Sequence, residues 1–468
     1  MIQPERLHVL RPGVPRSGQY VLYWMQSAVR SAHNQALAYA VQEANRLKVP
    51  VLAVFGLTPS YPAATARHYL YLLQGVRDAR AGLQERGVPL LVGLTGVHGP
   101  AEAALALAPG AALIVTERGY LRQLRAWRAW LTERLAAQHA DLPFVEVESE
   151  LVVPVGVTSV KQEYAARTIR PRIHRALPQY LTAYEDPDPQ HHLRDVPRPT
   201  ELEWLHPHDL KDPAGLVRRF GVQGVPPGRE EGGEVAAQAQ LRHFLTRLDR
   251  YDRDRNDPTL DGASGLSAHL HYGQLSALQV ALAVQDHGGP GVDAYLEELV
   301  VRRELSFNLC WYSPHYDTFE VVPDWARRTL QDHRHDERRD LYTPDELEAA
   351  ATHDPYWNAA QRQMTATGRM HNYLRMYWGK KVLEWTPDPE QAHATLVRLN
   401  DRYEQDGRDP NSYAGIGWVF GLHDRPWTRR PIFGTVRYMN AAGLKRKFDI
   451  ETYARRWNGP QGDPDPTL

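Results

Sequence analysis

The chain has 468 residues, of which 42% are hydrophobic and 24% charged, the balance of a soluble globular protein with two or three domains. Its single cysteine, Cys310, excludes an internal disulfide and a multi-cysteine metal site and predicts a reducing, cytoplasmic setting. The formal net charge is -1, so affinity for nucleic acid would need a local basic face, and we expect neither a membrane span nor a signal peptide.

The first 155 residues alternate between apolar runs and helical patterns. The runs fit for buried strands lie at residues 20–24, 49–57, 89–94, 111–116 and 144–153. Apolar strands separated by helices are typical of a parallel sheet covered on both faces. We therefore predict that residues 1–155 form an α/β domain with a doubly wound, Rossmann-like parallel sheet. No G-x-G-x-x-G or phosphate-binding loop follows these strands, so a dinucleotide or ATP site of that kind is not expected here.

Residues 156–235 are rich in proline and glycine, which predicts a connector with a few short helices. The pair His191 and His192 lacks a third ligand at a recognisable spacing, so we interpret it as a loop feature and predict no metal site. From residue 236 to 468 the patterns are helical almost throughout. This stretch is predicted to form a large all-α domain.

A short stretch at residues 256–274 combines serines and glycines with the start of a helical pattern. Serine hydroxyls and free backbone N–H groups at such a position can hold a phosphate. A turn with N-cap serines explains the same residues equally well. The residues by themselves leave both interpretations open.

Residues 352–427 contain five of the twelve tryptophans, interleaved with Arg, Asp, Asn and His. Apolar residues at 370–385 recur every three or four positions, which favours a core helix. Arg375 on this helix and Asp406 after the next one could pair beside a planar cofactor, because an ion pair buried without a purpose is costly. Residues 425–447 carry seven Lys or Arg and no Asp or Glu, a face that is either solvated or directed at nucleic acid.

Five sequence motifs, taken together, resemble one known family. They are YWMQ at residues 23–26, LSAHLHYGQ at 266–274, EELVVRREL at 297–305, MHNYLRMYWGKK at 370–381 and DGRDPNSYAG at 406–415. Over nearly its whole length the chain is similar to the class II cyclobutane pyrimidine dimer (CPD) photolyases of the photolyase and cryptochrome superfamily. The resemblance implies an N-terminal α/β antenna domain and a C-terminal helical FAD-binding domain, the same division that periodicity predicts.

The resemblance also implies a light-driven DNA repair enzyme, a carbon–carbon lyase. Its cofactor would be FAD, active as the fully reduced anion, which passes an electron to a pyrimidine dimer flipped out of double-stranded DNA. A second, antenna chromophore in this family is a deazaflavin, a folate or absent, and the sequence leaves that choice open. We expect a monomer without membrane association.

Several residues match positions that bind the flavin or carry electrons in that family. The resemblance assigns the FAD phosphates to Tyr251, Ser264, Leu266, Ser267 and Gln274, and the salt bridge beside the isoalloxazine to Arg375 and Asp406. Asn400 matches the residue facing flavin N5, where an amide can either donate or accept a hydrogen bond. The electron relay would consist of Trp357, Trp378 and Trp385, in an order left open.

A second group of residues matches the lesion-binding positions. Glu298 resembles the glutamate that hydrogen-bonds the dimer, and Trp418 and Trp427 offer flat faces for the splayed bases. The remaining members are Arg255, Asn372, Met376 and Arg437. Arg437 would lie on a hairpin at residues 432–440 and fill the space left by the dimer, which would direct the basic run at the duplex.

Two rival functions have sequence features that count against them. A cryptochrome-like blue-light photoreceptor would bind FAD without repair, but such members commonly carry C-terminal extensions and need no complete lesion pocket. A photolyase for the other major ultraviolet lesion would need a pair of histidines, for which His371 is the one evident candidate. Repair of cyclobutane dimers is therefore the leading prediction.

Overall fold

A seven-stranded sheet organises the N-terminal part of the chain. The computed structural model describes residues 2–222, 224–228 and 230–459. The strands are β1 (Leu7–Arg11), β2 (Tyr20–Met25), β3 (Val51–Leu57), β4 (Leu90–Leu94), β5 (Ala111–Glu117), β6 (Phe144–Val147) and β7 (Glu203–Trp204). They lie side by side in the order β1-β6-β5-β2-β3-β4-β7. The inner strands are parallel, whereas β1 and β7 are antiparallel edges.

Helices cover both faces of this sheet, which confirms the doubly wound prediction. They are α1 (Gln35–Leu47), α2 (Ala66–Glu85), α3 (Ala101–Leu107) and α4 (Arg122–Gln138). Successive side chains of a strand point to opposite faces. Val21 and Tyr23 of β2 therefore pack with α1 and α2, while Leu22 and Trp24 pack with α3 and α4. Every residue of β2 and β3 is buried, which explains why these strands are continuous apolar runs.

The two edge strands are absent from the sequence predictions. β1 is partly exposed along its length and β7 has two residues, so neither produces the apolar run of a strand covered on both faces. β7 belongs to residues 156–235, which also form α5 (Val155–Thr158), α6 (Ala166–Tyr180) and α7 (Pro213–Arg219). The predicted connector thus adds a strand to the sheet, and the domain boundaries at 155 and 235 stay predictions.

The remaining described chain is helical. Its helices are α8 (Glu234–Leu245), α9 (Tyr251–Asp254), α10 (Ser267–His271), α11 (Ala277–His287), α12 (Val292–Leu296), α13 (Arg303–Tyr312), α14 (Asp324–Asp332), α15 (Pro344–Glu348), α16 (Pro355–Thr367), α17 (Asn372–Trp385), α18 (Pro389–Tyr403), α19 (Pro410–Val419), α20 (Ala441–Lys447) and α21 (Ile450–Asn458). A π-helical turn at Glu297–Arg302 joins α12 to α13. The fold prediction of an α/β part followed by a large helical part is confirmed. Within the described ranges, no helix combines the length and apolar character needed to cross a membrane.

Arg67 of α2 connects the sheet region to the helical region through hydrogen bonds. Its buried guanidinium donates to the carbonyl oxygens of Thr365 and Tyr403, both at 2.7 Å, in the last turns of α16 and α18. A cation there satisfies carbonyl groups that lack intrahelical partners. The adjacent His68 places its Nε2 3.0 Å from the carbonyl oxygen of Glu404. Helix α2 therefore also holds the segment that follows α18.

We predict that Glu304 makes the folded state less stable as pH rises. Its buried carboxyl accepts hydrogen bonds from the N–H groups of Val152 at 2.7 Å and Val153 at 3.1 Å, and burial raises its pKa to about 8. A carboxyl with a raised folded-state pKa contributes stability below its ordinary value near 4.5, which is lost as pH rises to about 8. We measure the free energy of unfolding in urea across this pH range. Its decrease should be smaller in Glu304→Gln than in the unaltered protein, by on the order of 1–3 kcal/mol. Equal pH slopes for both proteins would contradict this role.

Candidate active site

A large cavity lies in the helical region, between α9, the π-helical turn, α17 and α19. Its volume is about 690 Å³, within the range of sites for cofactors and other small molecules. Of the residues assigned by resemblance, its wall contains Tyr251, Arg255, Ser264, Ser267, Glu298, Asn372, Arg375, Met376, Trp378, Asn400, Asp406, Trp418 and Arg437. The fold thus brings together most of the predicted flavin-binding and lesion-binding residues.

Helix α17 supplies one wall of the cavity. His371 caps its start, accepting a hydrogen bond at Nδ1 from the N–H of Tyr373 at 3.3 Å. Asn372, Arg375 and Met376 are spaced three and four residues apart, so they share a face, and all line the cavity. The fold therefore uses the helical pattern of this motif to present polar residues inward.

The guanidinium of Arg375 is shared by two carboxyl groups. Its Nη2 donates to Asp406 Oδ1 at 3.0 Å and to Glu404 Oε2 at 2.9 Å. Burial alone would raise the pKa of Asp406, but the charge of Arg375 and the hydrogen bonds from Ser267 and Arg375 together lower it. Burial raises the pKa of Glu404 to about 8 against the attraction of Arg375, and the charge of Asp406 adds to the rise. At neutral pH the cavity wall therefore holds an ion pair beside a protonated carboxyl.

The serine-rich stretch forms a polar part of the same wall. Ser264 and Ser267 line the cavity, and Arg369 Nη2 donates to the carbonyl oxygen of Gly265 at 2.7 Å. Gly265 has a φ of 70°, which a side chain would strain. Among the described residues, the Nε atoms of Arg255 and Arg369 have no hydrogen-bond partner. Unpaired cationic donors beside serine hydroxyls suit an anionic ligand with several acceptor oxygens.

Glu298 lies on the π-helical turn. Such turns re-aim side chains and recur at functional sites. Glu298 lines the cavity, and its Oε1 accepts a hydrogen bond from Arg255 Nη1 at 2.6 Å. The neighbouring Glu297 lies outside the cavity and pairs with Arg170 at 2.6 Å and Arg302 at 2.9 Å. The turn therefore directs two adjacent glutamates to different surroundings.

The three tryptophans of the predicted relay extend from the cavity into the bundle. Trp378 lines the cavity. Trp357 is fully buried behind it and donates its Nε1–H to the carbonyl oxygen of Trp378 at 3.0 Å. The rings of Trp357 and Trp385 meet edge to face with centroids 5.6 Å apart, and Trp385 meets Tyr342 at 5.4 Å. The contacts run in the order Trp378, Trp357, Trp385.

Three of the predicted flavin-binding and lesion-binding residues lie outside the cavity wall. Gln274 is buried between other elements, where its Oε1 accepts from the N–H of Gly233 at 2.8 Å and its Nε2 donates to the carbonyl oxygen of Tyr71 at 3.0 Å. Its amide thus joins α2 to the start of α8 and is not directed at a phosphate. The side chain of Leu266 belongs to the apolar core. Trp427 is 41% exposed on the surface next to the cavity.

Sequence reasoning missed several charged residues of the cavity wall, among them Glu404 and Arg369. Glu404 was not assigned, although it stands two positions before Asp406, where the DGRD motif begins, and four residues after Asn400. Arg369 pairs with Glu230 at 2.5 Å, a partner too distant in sequence for any spacing argument. A carboxyl so close to the DGRD motif was the available signal for Glu404.

A basic surface lies beside the cavity, and we call the Lys and Arg of residues 425–447 the first basic surface. Arg437 lines both the cavity and this surface. The guanidiniums of Arg425 and Arg437 lie 5.5 and 5.2 Å from the ring of Trp427. The predicted hairpin at 432–440 is wrong. Asp336 Oδ2 accepts a hydrogen bond from the N–H of Ile432 at 2.8 Å, and the described residues of this segment form one isolated β-bridge, between Arg430 and Gly434. The basic run is therefore an irregular loop, exposed at residues 425–431 and buried at 432–434, followed by α20.

A second, smaller cavity of about 160 Å³ lies at the carboxyl ends of β2 and β3. Ligands of open α/β sheets bind at this edge. Its wall is largely aromatic and aliphatic, and the rings of Tyr61 and Trp127 meet there at 5.9 Å. Arg408 and Asp409 line it, while Glu404 and Asp406 line the first cavity. The segment after α18 thus contributes to both cavities.

Comparison with known proteins gives consistent matches. Residues 21–192 match the model of the family described as DNA photolyase. A protein of Methanothermobacter thermautotrophicus named deoxyribodipyrimidine photo-lyase is 45% identical over 98% of this chain and 99% of its own. A rice protein, from Oryza sativa subsp. japonica, with the same name is 41% identical over 96% and 89%. The crystal structure of Synechocystis cryptochrome shares the fold, with a TM-score of 0.73 at 16% identity over 95% of this chain and 90% of that one.

Proposed function

The chain belongs to the DNA photolyase family, and on that premise we propose that it repairs cyclobutane pyrimidine dimers in DNA by light-driven electron transfer. It would then be a deoxyribodipyrimidine photo-lyase. One observation carries the proposal: a cavity of cofactor size is lined by the Arg375–Asp406 pair, by Glu298 and by Trp418, and adjoins the first basic surface. These features would bring a bound redox cofactor, the lesion and the DNA duplex next to one another.

FAD fits the residues of the large cavity. The unpaired Nε–H of Arg369 and the hydroxyls of Ser264 and Ser267 suit a diphosphate. Reduced FAD, when bound and excited by blue or near-ultraviolet light, would supply and recover the electron needed to split the cyclobutane ring. The Arg375–Asp406 pair would hold the isoalloxazine, and Asn400 would offer it an amide that can donate or accept.

The chain's own contribution to repair is to bind and orient the dimer. Glu298 would accept or donate a hydrogen bond at the dimer's base edge, with Arg255 holding its carboxylate in place at 2.6 Å. Trp418 and Met376 would offer apolar surface to the two splayed bases. Asn372 adds an amide to the same wall. Together these side chains replace the stacking and pairing that the dimer loses on leaving the duplex.

The duplex itself would lie on the first basic surface. Phosphate contacts from Lys and Arg supply most non-specific affinity for DNA. Arg437 lines both the cavity and this surface, so it is suited to the gap that an extruded dimer leaves. Trp427, between Arg425 and Arg437, would meet the DNA at the rim and not inside the lesion pocket.

The three tryptophans would carry electrons to the oxidised cofactor and so reduce it. Trp385, Trp357 and Trp378 are in sequential contact and end at the cavity. We propose that electrons pass in that order, from Trp385 to Trp357 to Trp378. Indole is an oxidisable side chain, and burial protects the three rings from solvent.

The smaller cavity is the proposed site of an antenna chromophore. It lies at the ligand-binding edge of the sheet, and its aromatic wall suits a flat ring system. A deazaflavin and a folate remain alternatives, which the absorption spectrum of the purified protein would distinguish. We further propose that the protein acts as a monomer in a reducing cytoplasm, consistent with its single, buried Cys310.

The direct test is repair of a defined lesion. The reduced protein should remove thymine dimers from a duplex under blue light, with no loss in a dark control. Dimer content is measured by chromatography of the digested DNA. Tight binding without loss of dimers in the light would overturn the repair proposal and favour a photoreceptor.

A further inference from the structure

Helix α6 carries an unbalanced charge that its packing does not explain. Residues 161–175 contain five Lys or Arg and a single acidic residue, Glu163, in a chain whose formal net charge is -1. Ile169 and Ile173 bury one side of the helix, and Arg167 is exposed on another. An exposed basic stripe on a nearly neutral protein indicates a local anionic partner.

Hydrogen bonds place the start of α6 beside the first basic surface. The hydroxyl of Tyr164 donates to the carbonyl oxygen of Asp424 at 2.8 Å, and His423 Nδ1–H donates to the carbonyl oxygen of Tyr164 at 2.7 Å. The chain then continues directly into Arg425. The guanidinium of Arg167 lies 5.7 Å from the ring of Tyr164. Arg167 is therefore held close to the segment that carries Trp427.

Ion pairs place the next turn of α6 beside the cavity wall. Arg170 Nη2 and Arg302 Nε both bind Glu297 Oε1, at 2.6 and 2.9 Å. Glu297 immediately precedes Glu298, which lines the cavity. Arg167 precedes Arg170 by three residues and so neighbours it on the helix surface. We call Arg167, Arg170 and Arg302 the second basic surface.

The charge of this second basic surface is only partly neutralised. Arg170 and Arg302 share one carboxylate, that of Glu297. Arg167 forms no ion pair with any residue in the described part of the chain. Its stacking on Tyr164 lowers its freedom without cancelling its charge, which leaves a pre-positioned cation for a phosphate.

We propose that the second basic surface binds the phosphate backbone of the same duplex at a second point, apart from the first basic surface. The inference rests on the proposed function, because the partner is the DNA that presents the lesion. Two groups of phosphate contacts, one at residues 425–447 and one at α6, would hold the duplex beside the cavity. The backbone could then stay bound while the dimer leaves the stack.

Arg167→Ala tests this surface. Binding of dimer-containing and undamaged duplexes is measured by fluorescence anisotropy at several salt concentrations. Because one phosphate contact is lost, the slope of log Kd against log salt should fall by about 0.9, and Kd should rise roughly three- to tenfold for both duplexes. Arg167→Lys should keep most of the slope. Arg46→Ala, which removes a similarly exposed arginine from α1, should change neither quantity.

The outcomes separate this inference from the repair proposal. If Arg437→Ala weakens binding but Arg167→Ala leaves Kd and slope unchanged, the second basic surface is refuted and the repair proposal stands. A higher Kd with an unchanged slope would mean a packing defect, which also refutes it. Failure of the unaltered protein to bind either duplex would overturn both. Thermal unfolding and FAD content of each variant verify that the fold is intact.

Discussion

Replacing Glu298 with alanine should lower the repair yield roughly ten- to a hundredfold while the protein keeps its FAD, since a hydrogen bond involving a charged group contributes about 1.5–3 kcal/mol. The carboxylate lines the cavity and is held by Arg255 at 2.6 Å, but it makes no contact with the Arg375–Asp406 pair. Loss of Glu298 should therefore act on the dimer and spare the cofactor. The measurement is dimer loss per absorbed photon with chemically reduced protein.

Glu304→Gln is the matched control for that experiment. Glu304 is a buried glutamate near the start of α13, shortly after the π-helical turn, but its hydrogen bonds go to Val152 and Val153 and not to the cavity. Its repair yield should stay near that of the unaltered protein. If Glu298→Ala instead releases FAD, the carboxylate supports the cofactor site and its assignment to the lesion is wrong.

Trp357→Phe should slow photoreduction of the oxidised flavin by an order of magnitude or more and leave repair by chemically reduced protein nearly intact. Trp357 is the middle member of the chain of contacts, fully buried between Trp378 and Trp385. Phenylalanine keeps most of the packing but is much harder to oxidise than indole. Losing the hydrogen bond to Trp378 should cost about 1 kcal/mol of stability, too little to unfold the domain.

Two measurements on this variant distinguish an electron carrier from a packing residue. Photoreduction is followed by the flavin absorption under blue light, and repair is measured separately after chemical reduction. Trp325→Phe changes a tryptophan that packs against the same core but lies outside the chain of contacts, and it should leave both unchanged. Equal loss of photoreduction and repair in Trp357→Phe would refute the relay.

The cavity also explains why Arg375 tolerates two carboxyl groups. Two ionised carboxylates on one buried guanidinium would leave a net negative charge, which is costly away from water. Because burial raises the pKa of Glu404 to about 8, only Asp406 is ionised at neutral pH. The charges of Arg375 and Asp406 therefore cancel, and the neutral carboxyl of Glu404 remains hydrogen-bonded to Arg375.

The class of fold and most residues of the cavity wall could be predicted from the amino-acid sequence. Fully buried parallel strands are apolar on both faces, so β2 and β3 stand out as continuous runs. The motifs that carry Arg375, Asp406 and Glu298 keep fixed spacings, so a resemblance transfers them directly. Periodicity could not assign a role to Trp357, since a relay tryptophan and a core tryptophan have the same helical spacing.

Contacts between side chains on distant segments could not be predicted and follow from the packing of the folded chain. Gln274 stands in the same motif as Ser267, yet its amide serves Gly233 and Tyr71. Glu404 became a partner of Arg375 because α17 packs against α18, and Tyr164 became a neighbour of Asp424 across more than half the chain. Sequence spacing determines which side chains share a face of one helix or strand. Burial, pKa shifts and the charge of a surface depend on contacts between distant segments, which packing alone creates.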